Sequence, residues 1–304
     1  MRDPLDLNPS QLNVIEQLGA RLEDRPVFGD QLQGVIRNAL EDSSKEISPM
    51  IPANETLFIS KHHLNQVMRC ENQFKSERDQ PFEWSVPTAR GIISHKAIEL
   101  SVFWENPLVE PLTLVDEAIR RAKDGSDGLA QWIRNLPEGE IAQLRGDVNN
   151  RVASFLESWP PLEKQWRPTL EAPIRAEFSG GRVILSGKVD LSLSRPLGNT
   201  AGKVIVDFKT GNFYPSHRED LRFYALLETL KLGVPPRLIA TYYLDQAQFS
   251  PEQVSEHVLE ASLARVIDGM SRIAELLYGS SEPKRCSWDR CYWCSPDHGT
   301  ESEG

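Results

Sequence analysis

Between Leu170 and Leu244 the chain carries a run of short strand-type segments, and this stretch most restricts the folds open to it. Glu171 to Phe178 alternates in part, Ser179-Gly180-Gly181 is a hairpin turn signal, and Arg182–Leu185 and Val189–Leu193 continue the strand pattern. Lys203–Phe208 is a short apolar run. His217–Leu232 has helical period and stops at Gly233-Val234-Pro235-Pro236, and Leu238–Leu244 is rich in β-branched and aromatic residues. The flanks read as helical. Asn8-Pro9-Ser10 is a helix start followed by Leu12, Ile15, Leu18 and Leu22, and Leu32, Val35, Ile36 and Leu40 form a second pattern. Ser48-Pro49-Met50-Ile51-Pro52 breaks the chain, so residues 1–52 are expected as a helical extension and residues 53–299 as the main domain. After Phe58-Ile59, Ser60 caps a helix bearing Leu64, Val67 and Cys70. Residues 71–90 are expected as a loop, and a helix with His95 follows from Gly91 to about Trp104. Helical patterns fill 112–166, and Ser250-Pro251 is expected to open a long helix through about Leu277. The last residues, 300–304, are polar and expected to fray. The order predicts an α/β or α+β domain, a mixed central sheet flanked by helices.

Composition narrows the function classes. With 34 Lys and Arg against 44 Asp and Glu, the formal charge of −10 argues against nucleic-acid binding by bulk charge. It leaves room for an enzyme with a local basic groove, and metal-dependent nucleases need carboxylates for their ion. Hydrophobic residues at 39% supply a real core, and no stretch approaches the roughly 18 apolar residues of a membrane helix. The opening MRDPLDLNPS has no apolar signal region, so a cytoplasmic location is expected.

The chemistry concentrates in Gly187-Lys188-Val189-Asp190 and Val206-Asp207-Phe208-Lys209-Thr210-Gly211. Residues two apart on a strand face one way, so Asp207 and Lys209 project together. If the preceding strand pairs with theirs, Asp190 approaches Asp207. Two such carboxylates repel unless a divalent cation lies between them, and a lysine beside that ion holds a water or stabilises phosphate charge. That is an arrangement for metal-assisted phosphodiester hydrolysis.

The cysteines make a second candidate site. Cys286-x4-Cys291-x2-Cys294 together with Cys70 use every cysteine of the chain and form a complete set for a tetrahedral metal or a cluster. Under reducing conditions such clustered thiols read as metal ligands or redox groups.

Taken together, Gly187-Lys188-Val189-Asp190 and Asp207-Phe208-Lys209-Thr210-Gly211 resemble the core of the PD-(D/E)XK nuclease superfamily. More narrowly, they resemble RecB-family exonucleases and the CRISPR-associated exonucleases related to them. Ser60-x9-Cys70, Gly91-Ile92-Ile93-Ser94-His95, Asp220-Leu221-Arg222-Phe223-Tyr224 and the terminal cysteines match further motifs of that family in order, from about Leu57 to Cys294.

The resemblance implies that Asp190 and Asp207 bind Mg²⁺ or Mn²⁺, that His95 is a further ligand or near neighbour, that Lys209 acts on the attacking water or scissile phosphate, and that Tyr224 lines the site. Glu171 and Glu177 are equal candidates for an additional acid. The family's glutamine is replaced by Asp220, which only accepts hydrogen bonds when ionised, with Arg218 and Arg222 as candidate compensation. In the family, cysteines so placed hold a [4Fe–4S] cluster. The spacing here departs from the usual one, so Zn²⁺ on four cysteines is the alternative, with His298 as a substitute ligand.

The implied activity is that of a DNA nuclease, an exonuclease on single strands or duplex ends in repair, recombination or defence. Arg69, Lys75, Arg78, Arg90, Lys284, Arg285 and Arg290 are candidate phosphate contacts, and Trp84 and Trp288 candidate base-stacking residues. A helicase or another repair or defence protein is a candidate partner of residues 1–52. The alternatives are a catalytically weak or inactive nuclease-fold DNA-binding or scaffold subunit of a larger repair or defence complex, and an iron–sulfur redox or sensor protein.

Overall fold

A computed structural model describes residues 7–104, 109–288 and 291–295. Its centre is a six-stranded mixed sheet. Strand β3 (Val183–Leu193) is the spine. Strand β2 (Thr169–Phe178) runs antiparallel along one edge of β3, from Phe178↔Val183 to Thr169↔Ser192. The other edge is shared. Strand β1 (Leu57–Ile59) pairs in parallel with Val183 to Leu185, and β4 (Val204–Lys209) pairs antiparallel with Leu191 to Leu193. Between Leu185 and Leu191 this edge of β3 is bound by neither strand, which opens a gap in the sheet. Strand β5 (Leu238–Tyr243) lies parallel to β4, and β6 (Gln248–Gln253) closes the edge antiparallel to β5.

Helices cover both faces. One core joins α2 (Leu32–Ile47), α3 (Lys61–Arg69), α9 (Ser216–Leu232) and α10 (Glu256–Tyr278) to the sheet through residues such as Leu40, Leu64, Leu226 and Met270. On the opposite face α1 (Pro9–Leu18), α5 (Val86–Phe103) and α8 (Glu138–Ser158) pack on Val204, Val206 and Phe208. Helices α6 (Pro111–Asp124) and α7 (Gly128–Asn135) complete a helical cluster with α5 and α8. The N-terminal helices α1 and α2 therefore lie in the two layers that sandwich the sheet. No helix among the described residues is long and apolar enough to cross a membrane.

Local chemistry explains most boundaries. Asn8 caps α1 through a capping box with Gln11. The β2–β3 hairpin turns through Ser179, Gly180 and Gly181, all at positive φ, with two glycines absorbing the left-handed backbone.

Three expectations needed correction. Residues 71–90 are not a loop: helix α4 (Glu71–Asp79) occupies the first half, and α5 begins at Val86 behind the Ser85 cap. Pro87 sits in the first turn of α5, where its missing N–H costs nothing, so it starts a helix. Pro251 likewise opens no helix. It lies on edge strand β6, where no ladder donor is needed, and Ser255 caps α10. Finally, Leu12 and Val35 point outward at 45% and 59% exposure, while Val14 and Leu40 face the core. The expected tail at 300–304 lies outside the described residues.

Candidate active site

The gap along β3 collects the polar residues. The β3–β4 ladder ends at Leu191↔Val206. One residue on, the Asp190 side chain replaces it, its Oδ2 accepting the Phe208 N–H at 2.7 Å. Its Oδ1 lies 3.6 Å from Nδ1 of His95, which α5 brings across the sheet with its ring edge-on to Phe208. Glu171 joins them with Oε1 3.9 Å from the same nitrogen. One donor atom each from His95, Glu171 and Asp190 lies within 4.8 Å of the others. Glu171 reaches this position because its φ is +50°, where strand alternation does not hold. Such a backbone costs about 1–3 kcal/mol for a non-glycine residue and is tolerated where the surroundings enforce it. Glu177, the other candidate acid, is half exposed and pairs with Arg175 at 2.8 Å, away from the group.

Asp207 and Lys209 do project to one side, onto the face of Ile205. Asp207 is 1% exposed and meets a lysine on each oxygen, Lys61 Nζ at 3.0 Å from Oδ1 and Lys209 Nζ at 2.7 Å from Oδ2. It is not part of the His95–Glu171–Asp190 group. Asp220 Oδ2 lies 3.3 Å from Lys209 and 3.5 Å from Lys61. Asn65 donates to Asp220 Oδ1 at 2.6 Å and is held by Arg265 at 2.9 Å. Arg222 is engaged by Glu219 and Glu252, so the cations facing Asp220 are Lys209 and Lys61. Tyr224 is buried, with Lys61 Nζ 4.7 Å from its ring centroid. The ring packs on Gly187, where a Cβ would lie 2.5 Å from Tyr224 Cε1.

The charges are mutually set. Burial pushes Asp207 upward, but Lys209 and then Lys61 outweigh it and hold the carboxyl well below its usual range. Burial works to lower Lys61 and Lys209, and the facing carboxylates, Asp207 first, outweigh it and raise both. For His95 burial again opposes the charge, and Asp190, Asp207 and Glu171 together raise the imidazole above its ordinary value. Lys209 is therefore a fixed cation suited to phosphate charge.

The first group offers carboxylate oxygens, which suit a hard divalent cation, and one imidazole nitrogen, which suits a transition ion. Asp207 Oδ2 is buried 2.7 Å from Lys209 Nζ, so both oxygens of Asp207 face ammonium groups. The residues fit a divalent metal ion.

The second cluster lies at the end of α3. Cys70 ends that helix and precedes α4, and its sulfur lies 3.7 Å from Cys291 and 3.6 Å from Cys294, with Cys286 3.7 Å from Cys294. Burial pushes the Cys70 thiol up to about 12. Cys294, helped first by the Cys286 backbone N–H, is drawn down to about 7. The C-terminal segment is fastened by Glu71, which accepts the Lys284 N–H at 2.6 Å and pairs with Arg272. His298 and Arg290 lie outside the described residues.

Most candidate nucleic-acid contacts are engaged. Arg90 pairs with Asp147 at 3.0 Å, Lys75 lies 4.0 Å from Glu282, Arg69 donates to Gln73 and Arg285 to the Cys294 carbonyl. Trp84 packs against the α5–α8 cluster, whereas Trp288 is 63% exposed.

Sequence reasoning missed Lys61, Asn65 and Arg265. Lys61 directly follows the Ser60 cap, a position with no chemical signature. Only the parallel pairing of β1 with β3 carries it to Asp207.

The family model of the PD-(D/E)XK nuclease superfamily matches residues 59–296. No curated protein matches the sequence. Among solved structures, a candidate exonuclease from Eubacterium rectale is similar at 15% identity and a TM-score of 0.48, covering 81% of this chain and 93% of that one. The protein SSO0001 is similar at 11% identity and a TM-score of 0.31, covering 78% of this chain and 85% of that one.

Proposed function

This chain belongs to the PD-(D/E)XK nuclease superfamily, and from that premise we propose that it is a divalent-metal-dependent DNA nuclease of RecB-family type, an exonuclease on single strands or duplex ends acting in the cytoplasm. The observation that carries the reading is the adjacency, at the open edge of β3, of a divalent-ion donor group and an ammonium pair: His95, Glu171 and Asp190 on one side, Lys61 and Lys209 on the other. His95, Glu171, Asp190 and Asp207 would hold the ion. A divalent ion held by these residues would supply Lewis-acid stabilisation of phosphate charge and help activate the attacking water. Lys209 stabilises charge growing on the phosphate, and Lys61 keeps Asp207 and Asp220 neutralised so that a polyanion can approach. Tyr224 lines the site and positions Lys61. Phosphates outside the site meet the remaining surface basic residues, with Trp288 free to stack on a base.

The test uses end-labelled single-stranded and duplex DNA with Mg²⁺, Mn²⁺ or EDTA, beside Lys209→Ala. Metal-dependent shortening from an end, lost in the variant, is the expected result. A folded protein that cuts nothing with either metal sinks the reading. One observation favours the scaffold alternative in that event: both oxygens of Asp207 are already engaged by lysines. Residues 1–52 are then the first place to look for a helicase or other repair or defence partner.

The four cysteines fit a structural metal centre joining the α3–α4 junction to the C-terminal segment. Their contacts of 3.6–3.7 Å match the edge, about 3.8 Å, of a tetrahedron with metal–sulfur bonds of about 2.3 Å. A [4Fe–4S] cluster, with each thiolate on a different iron, asks for wider spacing. These contacts favour the Zn²⁺ alternative, and the [4Fe–4S] cluster that the resemblance implies is the reading tested against it. Metal analysis of protein purified without oxygen, with its visible spectrum, separates zinc from iron and sulfide.

A further inference from the structure

At the far end of β4 and β5 from Asp207 and Lys209, on the face covered by α1, lies a cavity of about 340 Å³. Ile15, Leu18, Arg25, Trp166, Val204 and Arg237 are among its walls. Arg237 is only 9% exposed. One of its terminal nitrogens donates to the Leu18 carbonyl, and its buried Nε has no hydrogen-bond partner. Arg25 spends Nε and Nη2 on the Ala20 carbonyl at 3.3 and 3.1 Å. Neither guanidinium forms an ion pair with a carboxylate among the described residues.

Two cations with no counter-charge at the wall of one cavity are costly, because each is desolvated and they repel. Burial first, and then Arg25, pull the Arg237 guanidinium down to about 10, so it stays charged at neutral pH. Both arginines bond carbonyls at the C-terminal end of α1, a favourable place for cations. Capping alone, however, leaves the two guanidiniums that line this space without a counter-charge.

We propose that this cavity binds a phosphate monoester with an aromatic or apolar body, its phosphate held by Arg25 and Arg237 and its body against Ile15, Leu18 and Trp166. A phosphate monoester carries about −1.5 to −2 at neutral pH and so matches two guanidiniums, which present paired donors to it. A volume of about 340 Å³ lies within the range of small-ligand sites, roughly 300–1,000 Å³. The site is separate from the candidate active site. Val204 and Asp207 face opposite sides of the sheet and are about 10 Å apart along β4. The proposal therefore does not depend on the nuclease reading.

The test is thermal unfolding of the full chain in EDTA with dAMP, inorganic phosphate, acetate or deoxyadenosine, each against sodium chloride of equal ionic strength. The expected result is a Tm rise of about 3 °C or more with saturating dAMP, a smaller one with phosphate, and none with deoxyadenosine or acetate. The dAMP shift persists in Lys209→Ala and disappears in Arg25→Gln and Arg237→Met. Arg25 is half-exposed, so its variant keeps the test decisive if Arg237→Met fails to fold. No shift beyond chloride, or an equal shift in Arg25→Gln, overturns the proposal and leaves the arginines as helix caps. A phosphate shift as large as that of dAMP overturns the assigned body, and an equal acetate shift overturns the phosphate.

Discussion

Lys61 Nζ stands 3.0 Å from Asp207 Oδ1, so the buried acid of the Asp-x-Lys strand is paired by a residue from outside that strand, the first of the helix after β1. The same ammonium lies 3.5 Å from Asp220, which stands where the RecB-type motif that this segment resembles has a neutral glutamine. The negative charge of Asp220 is thus shared by two ammonium groups, Lys209 at 3.3 Å and Lys61 at 3.5 Å. On this basis Lys209→Ala should lower cleavage by about 10²–10⁴-fold and Lys61→Met by about 10²-fold, with both variants folded by circular dichroism. Because Lys61 and Asp220 are in contact, a cycle of Lys61→Met and Asp220→Gln should show a coupling of about 0.5–3 kcal/mol in the rate. Strict additivity would mean that the replacement at 220 is met by something else.

Glu171, and not Glu177, approaches His95 and Asp190. Glu171→Gln should raise the metal concentration needed for half-maximal activity by about tenfold or more, while Glu177→Gln leaves it unchanged. Metal titration of the cleavage rate decides between them, and equal responses of the two variants would remove Glu171 from the site.

The depressed carboxyl of Asp207 makes stability acid-sensitive. Its folded value lies below the ordinary 3.8, so its contribution is fully present above that pH and is lost progressively as pH falls below about 4. Urea unfolding of the metal-free protein between pH 7 and pH 3 should show this decline, and Asp207→Asn should flatten it. An unchanged acid slope in Asp207→Asn would place the sensitivity elsewhere.

Gly187 is the floor for the Tyr224 ring. A Cβ at 187 would lie 2.5 Å from Tyr224 Cε1, and both neighbours are fixed, one by the sheet and the other by the core. Gly187→Ala should cost about 1–3 kcal/mol of stability and lower activity by shifting Tyr224 against Lys61. Denaturant midpoints measure the first effect, and a wild-type midpoint would show that the ring moves aside freely.

The cysteine site joins parts of the chain 224 residues apart. Loss of such a clip releases a long loop, worth about 5 kcal/mol in the loop-closure picture. Cys291→Ser should therefore lose bound metal and fall in Tm. A variant that loses its metal at unchanged Tm would show the centre to be no structural clip.

Much was legible without coordinates. The β2–β3 hairpin could be read at Ser179-Gly180-Gly181 because a left-handed turn leaves a glycine signature. The shared direction of Asp207 and Lys209 followed from strand period alone. The α4 helix and the start of α5 were not legible, because Pro87 breaks a helix interior but starts a helix end, and nothing local says which. Strand β6 was hidden for the same reason: Pro251 is acceptable on an edge, and only the finished sheet has an edge.

By itself the sequence determined which chemical groups are available and in what local geometry: the Asp190 and Asp207–Lys209 strands, the His95 helix and a complement of four thiols. Periodicity and turn chemistry act over a few residues, so they can be read from order alone. Tertiary structure decided which groups meet. It placed Glu171 beside His95 through one left-handed residue, gave Asp207 to Lys61 and Lys209, and set Arg237 against Arg25 in a cavity. Those pairings depend on β1 and β4 sharing one edge of β3, a long-range choice made by burial of the whole sheet, and no spacing along the chain records it.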